Sequence, residues 1–166
     1  MSGAGARFVE VPADRLLGRL REIGAAVTER GGSYAEGVQG REVFADVAPP
    51  RSAARVRVYT SLASGASEAR DCGEDAVRIV VFAGERPIRP SEKVLRTAPR
   101  GAEDRVGAFL DRLQGRIREA YAEARSVPPC PLCGRALAVR TRKSDGGRFY
   151  GCSGFPECRG TMPIGG

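Results

Sequence analysis

Apolar residues recur along this chain at two periods, and the switches between them mark out its elements. Leu16, Leu17, Leu20 and Ile23 fall on one face at helical spacing, predicting a short amphipathic helix from Pro12 to Ile23 closed by Gly24. Residues 30–40 hold four glycines and read as a turn or flexible loop. The period then shortens to two. Arg41 to Val47 and Arg55 to Leu62 predict strands, joined by a loop around Pro49-Pro50. A Ser-, Gly- and Ala-rich loop covers 63–70, and the β-branched run Ala76 to Phe82 is the clearest strand signal in the chain. Residues 92–97 predict a fourth strand beyond the breaks at Pro87 and Pro90. From Glu103 to Ala124 the helical period returns with Val106, Phe109, Leu110, Leu113, Ile117 and Tyr121, until Pro128-Pro129 stops it.

A helix, about four strands and a longer helix predict an α+β domain over 8–127, with a roughly four-stranded antiparallel sheet flanked by the two helices. A small separate unit follows at 128–166, and residues 1–7 read as a disordered tip of Gly, Ala and Ser. Helices at both ends of a strand run cover one sheet face and leave the other to solvent or a ligand. Alternation says what that face carries. Val56 and Val58 point one way while Arg55, Arg57 and Tyr59 point the other, and Arg78 lies opposite Val77, Ile79 and Val81. Lys93 or Arg96 would extend the basic row. Two readings stay open: a nucleic-acid platform, or a solvated face whose arginines pair with Glu42, Asp46 or Glu92.

Charge narrows the class of partner. The chain of 166 residues carries a net +7, and only Lys93 and Lys143 of its 27 basic residues are lysines. That balance favours a polyanion, although a GC-rich genome also inflates arginine. No apolar run reaches about eighteen residues and no basic-then-apolar leader opens the chain, which predicts a cytoplasmic protein with no membrane partner.

The sharpest chemistry lies near the C-terminus. Cys130-Pro-Leu-Cys133 is followed, eighteen residues on, by Cys152-Ser-Gly-Phe-Pro-Glu-Cys158. Two close cysteine pairs each present two sulfurs to one ion, which is the layout of a four-cysteine zinc site. With no histidine in the chain, one structural zinc must be held by Cys130, Cys133, Cys152 and Cys158 alone. A disulfide framework is the rival, but it leaves a fifth cysteine over. That cysteine, Cys72, stands among Asp71, Glu74 and Asp75, which raise a thiol's pKa, and no histidine is present to act as base. It reads as a small residue at a turn rather than a redox thiol or nucleophile.

The residues around the four cysteines add to the spacing. Cys-Pro-x-Cys-Gly at 130–134, the basic stretch Arg140-Thr-Arg-Lys143, and Gly147-Arg-Phe-Tyr-Gly-Cys-Ser-Gly-Phe-Pro-Glu-Cys-Arg-Gly-Thr161 follow one another. Together they resemble the C-terminal zinc ribbon of bacterial type IA DNA topoisomerases. That pattern reads close to Cys-Pro-x-Cys-Gly, a hairpin, then Phe-x-Gly-Cys-Ser-x-Tyr-Pro-x-Cys. Phe155 stands where tyrosine is common, and the likeness is confined to residues 130–166.

The resemblance implies single-stranded DNA binding. The residues support it on their own terms: Phe149, Tyr150 and Phe155 offer faces for bases, and Arg140, Arg142, Lys143, Arg148 and Arg159 offer cations for phosphates. The alternative for the rings is to shield the metal, and at least one must do so in so small a unit. Topoisomerase catalysis needs an acidic metal site and a strand-cleaving tyrosine in a far larger architecture, so the expectation is a non-catalytic DNA-binding protein of replication, recombination or repair. A strand-annealing oligomer is one narrower form, and nucleoid association is expected if the source is bacterial. A second hypothesis is a divergent metal-dependent nuclease using Asp71, Glu74 or Asp75. Its usual acidic residue two positions before a lysine is missing at both Lys93 and Lys143. A third is an adaptor whose N-terminal domain docks another protein.

Overall fold

In the computed structural model, residues 9, 11–40, 42–61, 76–88, 90–97 and 100–164 are described. The chain runs α1 (Ala13–Glu29), β1 (Ser33–Gln39), β2 (Glu42–Ala48), β3 (Ala54–Ser61), β4 (Ala76–Ala83), β5 (Arg86–Pro87), β6 (Glu92–Leu95) and α2 (Arg105–Ser126). Three strands close it: β7 (Leu137–Thr141), β8 (Arg148–Cys152) and β9 (Thr161–Pro163). The expected disordered tip, the 63–70 loop, Cys72 and the acidic trio around it lie outside the described residues.

The first six strands form one antiparallel sheet in the order β1-β2-β3-β4-β5, with β6 pairing the other half of β4. The sheet therefore has more strands than the four expected. The additional strands are β1 and the two-residue β5. Residues 30–40 are not a flexible loop: Ser33–Gln39 pairs residue for residue with β2, from Ser33 against Ala48 to Gln39 against Glu42. Glycine content hid this strand. Gly37 sits beneath the Phe44 ring, where a Cβ would come within 2.4 Å of it, so the glycine serves the cross-strand aromatic.

Helix α1 also runs past its expected stop. Leu16, Leu20, Gly24 and Val27 form a continuous buried stripe, and the Tyr34 ring of β1 lies against Gly24. A Cβ there would come within 2.4 Å of the ring, so Gly24 lets helix and strand meet rather than capping the helix. The turn to β1 comes at Gly31, whose φ of 85° only glycine adopts readily. Helix α2 follows its predicted span closely. Asp104 caps it by accepting from Gly107 N at 2.8 Å, and Phe109, Leu110, Leu113 and Ile117 are buried.

Both helices pack on the face carrying Ala45, Val56, Val58, Val77, Ile79 and Val81, which are fully buried with Leu16, Leu20, Phe109 and Leu113. Two residues of the C-terminal segment, Ala136 and Ala138, belong to this same core. The last three strands, in the order β7-β8-β9, are thus seated on the larger sheet's core. Among the described residues, no helix is long and apolar enough to cross a membrane.

Candidate metal centre and nucleic-acid interface

Two turns and one hairpin bring the four cysteines together. In the first turn Gly134 N donates to Cys130 O at 2.8 Å, with Gly134 at φ 74°, and Cys130 N donates to Arg135 O. In the second, Cys158 N donates to Gly154 O at 3.0 Å, and Gly154 N points at Cys152 Sγ at 3.3 Å. The hairpin β7–β8 sets Leu137 against Cys152 and carries that sulfur to the first turn.

The result is a compact sulfur cluster. All four Sγ atoms lie within 4.8 Å of one another, with 3.7 Å between Cys130 and Cys158 and 3.4 Å between Cys133 and Cys152. Sulfurs about 2.3 Å from one tetrahedral ion stand roughly 3.8 Å apart, so the cluster fits zinc and is too open for disulfides. Burial raises the Cys130 thiol, but backbone N–H bonds from Leu132 and Cys133 outweigh it and bring it down to about 7. Burial pushes Cys152 up to about 12. A divalent cation supplies the charge that ionises such a thiol. The four cysteines hold one structural zinc, with Leu137 fully buried beside them and Tyr150 and Met162 packed around.

A residue that sequence reading passed over completes the cradle. A Cβ on Gly160 would sit 2.3 Å from Cys130 Sγ, so only glycine leaves room for the sulfur. Its signal in the sequence was its place two residues after the last cysteine, which spacing rules do not single out.

Strand alternation divides the ribbon's aromatics between two faces. Tyr150 stands between Val139 and Met162 in register and packs toward the sulfurs. Phe149 stands between Arg140 and Pro163, on the opposite face. Phe155, at the second turn, is 47% exposed. Arg140 crosses Gly151, donates to Cys152 O at 3.2 Å and holds its guanidinium 5.5 Å from the Phe155 ring centroid. Arg142 lies 5.8 Å from the Phe149 centroid and pairs with Asp145 at 3.2 Å. Lys143, Arg148 and Arg159 are exposed and have no carboxylate partner among the described residues.

The helix-free face of the large sheet is differently arranged. Arg55, Arg57, Tyr59 and Arg78 do share it, as alternation predicts, but each guanidinium is engaged. Arg57 forks onto Asp46 at 2.6 and 2.7 Å and lies 3.8 Å from the Phe44 centroid. Its bonds to Asp46 hold it more firmly protonated than a free arginine. Arg78 donates to both oxygens of Glu42 at 2.6–2.7 Å and stacks 4.5 Å from the Tyr59 centroid. Arg55 reaches Asp46 at 3.5 Å, Glu85 at 3.4 Å and the Gly84 carbonyl at 2.6 Å, over the Phe82 ring. Tyr59 is only 8% exposed beneath them. Glu42 and Asp46 take the partner roles envisaged for this face, whereas Glu92 turns to Arg116 of α2. Lys93 extends the row opposite Arg78, and Arg96 bonds Thr60 Oγ1 at 3.2 Å.

Comparison with known proteins bears on the ribbon alone. Residues 127–165 match the family described as topoisomerase DNA binding C4 zinc finger. The DNA topoisomerase 1 of Archaeoglobus fulgidus is 44% identical over 48 residues, covering 29% of this chain and 7% of that protein. The enzyme of the same name from Pyrococcus horikoshii is 50% identical over 38 residues, 23% of this chain and 6% of the relative. That of Methanothermobacter thermautotrophicus is 37% identical over 43 residues, 26% and 6% respectively. No solved structure matches the chain at comparable significance. The chain spans less than a tenth of the length of these curated relatives, and all three are archaeal, so the likeness is to topoisomerase-type ribbons without restriction to bacterial ones. What the sequence and the cysteine geometry jointly establish is a C-terminal, topoisomerase-type zinc ribbon.

Proposed function

We propose that the chain is a non-catalytic DNA-binding protein whose ribbon holds single-stranded or unwound DNA. The observation carrying this reading is the half-exposed Phe155 ring with the Arg140 guanidinium beside it. A base stacks on such a ring whatever its identity, and cations along the strand's path take its phosphates. Phe149 with Arg142 offers a second, less open platform, and Lys143, Arg148 and Arg159 supply charge that no carboxylate among the described residues compensates. Tyr150, packed toward the sulfurs, supports the fold of the platform more than the strand.

On the large sheet, Arg55, Arg57, Arg78 and Tyr59 form a secondary surface, because phosphate must compete there with Asp46, Glu42 and Glu85. The zinc is structural: it fixes the two turns and supplies folding free energy that so small a unit lacks. In this reading an α+β domain over 8–127 carries a ribbon over 128–166, and the protein acts inside the cell on DNA opened during replication, recombination or repair.

Fluorescence anisotropy of the full chain with single-stranded, double-stranded and forked DNA tests the proposal. Preference for single strands or forks, lost when zinc is removed, is the expected result. Equal binding to duplex would overturn the single-strand assignment. Magnesium-dependent cutting of the same DNA on a gel would replace the binding role with the nuclease one.

A further inference from the structure

The ribbon does not stand apart from the larger domain. Ala136 and Ala138 enter the main core, Ser153 packs against Gly84 in the β4–β5 turn, and Arg86 of β5 donates from Nη2 to the Phe155 carbonyl at 3.1 Å. Phe155 therefore lies at the seam between the two parts. Its ring has Arg140 of the ribbon on one side, and its backbone holds Arg86 of the larger domain.

The Arg86 contact differs from the arginine contacts on the sheet face. Its acceptor is a neutral carbonyl, so the positive charge is not compensated. Arg86 is exposed and has no carboxylate partner among the described residues, while the neighbouring Glu85 turns to Arg55. One bond to a carbonyl leaves most of the guanidinium's five donors available. A base stacked on Phe155 brings its own phosphates within reach of a group already anchored to that residue's backbone.

We propose that Arg86 is a phosphate-binding residue of a composite single-strand site, so that the larger domain contributes directly to the strand path that Phe155 begins. This rests on the reading of the ribbon as a single-strand binder and adds to it a residue outside the ribbon. The seating of the ribbon on the main core makes the addition possible, since it brings Arg86 to the backbone of Phe155. The strand then crosses from ribbon to sheet edge at the β4–β5 turn rather than staying on the ribbon.

The test uses the full chain and a labelled oligothymidine about twelve nucleotides long, within the site sizes usual for single-strand binders. Affinity is measured across salt for the unaltered protein, Arg86→Ala and Arg86→Lys, alongside zinc content and melting temperature. Removing one phosphate-binding cation should flatten the slope of log affinity against log salt by about 0.7 in Arg86→Ala, with affinity down roughly fivefold at low salt. Arg86→Lys should keep the slope, because it keeps the charge. If Arg86 only pins the ribbon, both variants will lower the melting temperature or zinc content with the slope unchanged, which overturns the proposal. An unaltered protein that binds the oligothymidine beside an equally tight Arg86→Ala overturns it too, while leaving the ribbon reading in place. No binding by the unaltered chain would remove both.

Discussion

Two arginine-rich surfaces of one chain hold their charge in opposite ways. On the large sheet, Arg55, Arg57 and Arg78 are spread over aromatic rings and tied to Asp46, Glu42 and Glu85, with Tyr59 nearly buried beneath. On the ribbon, Lys143, Arg148 and Arg159 stand exposed without acidic partners among the described residues, and the Phe155 ring, with Arg140 beside it, is half open. Counting cations would rank the two alike. Counting cations without a carboxylate partner, and asking whether the rings on the same surface are accessible, separates them. A guanidinium forked onto a half-buried carboxylate must lose those bonds before it takes a phosphate, whereas a solvated one loses only water and counterions.

The largest expected effect attacks the ribbon itself. Cys152→Ser, or stripping the metal with a chelator, should abolish zinc retention and single-strand binding together. Because Ala136 and Ala138 lie in the main core, such a change should also lower the melting temperature of the whole chain rather than spare the larger domain. Zinc analysis and calorimetry on the same sample check both. Full binding by the metal-free protein would erase the contrast between the two surfaces.

Next in size is the sheet face. Asp46→Ala leaves Arg57 without its fork partner and Arg55 without one of its two carboxylates, which should cost about 2 kcal/mol of stability by urea unfolding. DNA affinity should change less than the stability does. Several-fold tighter binding would mean that a released guanidinium is already in reach of phosphate, and the two surfaces would then form one interface. Phe155→Ala should weaken single-strand binding by between about 1 and 3 kcal/mol while leaving the melting temperature nearly unchanged. Tyr150→Ala should do the reverse, and a reversal of this pair would exchange the faces of the ribbon. The smallest effect serves as a control on neither surface: Asp104→Ala removes the cap of α2 and should lower the melting temperature slightly with no change in binding.

What could be read from the sequence follows from how local each cause is. Strand β4 and helix α2 announce themselves because a run of β-branched residues and a repeated apolar stripe carry the signal within a few residues. The four zinc ligands are legible for the same reason, since each turn presents its pair of sulfurs unaided. Strand β1 is hidden because its glycines look like a loop until Phe44 is seen lying across Gly37. Alternation correctly places Arg57 and Arg78 on one face, yet their engagement with Asp46 and Glu42 depends on cross-strand register, which spacing along one strand does not specify. Gly160 beneath Cys130 Sγ and Arg86 at Phe155 are tertiary facts, with partners 30 and 69 residues away in the chain.

The account turns on which cations the DNA touches, and salt dependence reads that number directly. The measurement is single-strand affinity against salt for the unaltered chain, for the combined Lys143→Ala, Arg148→Ala, Arg159→Ala variant, and for Arg78→Gln. The account predicts that the ribbon variant flattens the logarithmic slope by about 2, near 0.7 for each phosphate no longer neutralised, while Arg78→Gln keeps the original slope. A slope unchanged in the ribbon variant and flattened in Arg78→Gln would contradict it, and would place the DNA on the sheet.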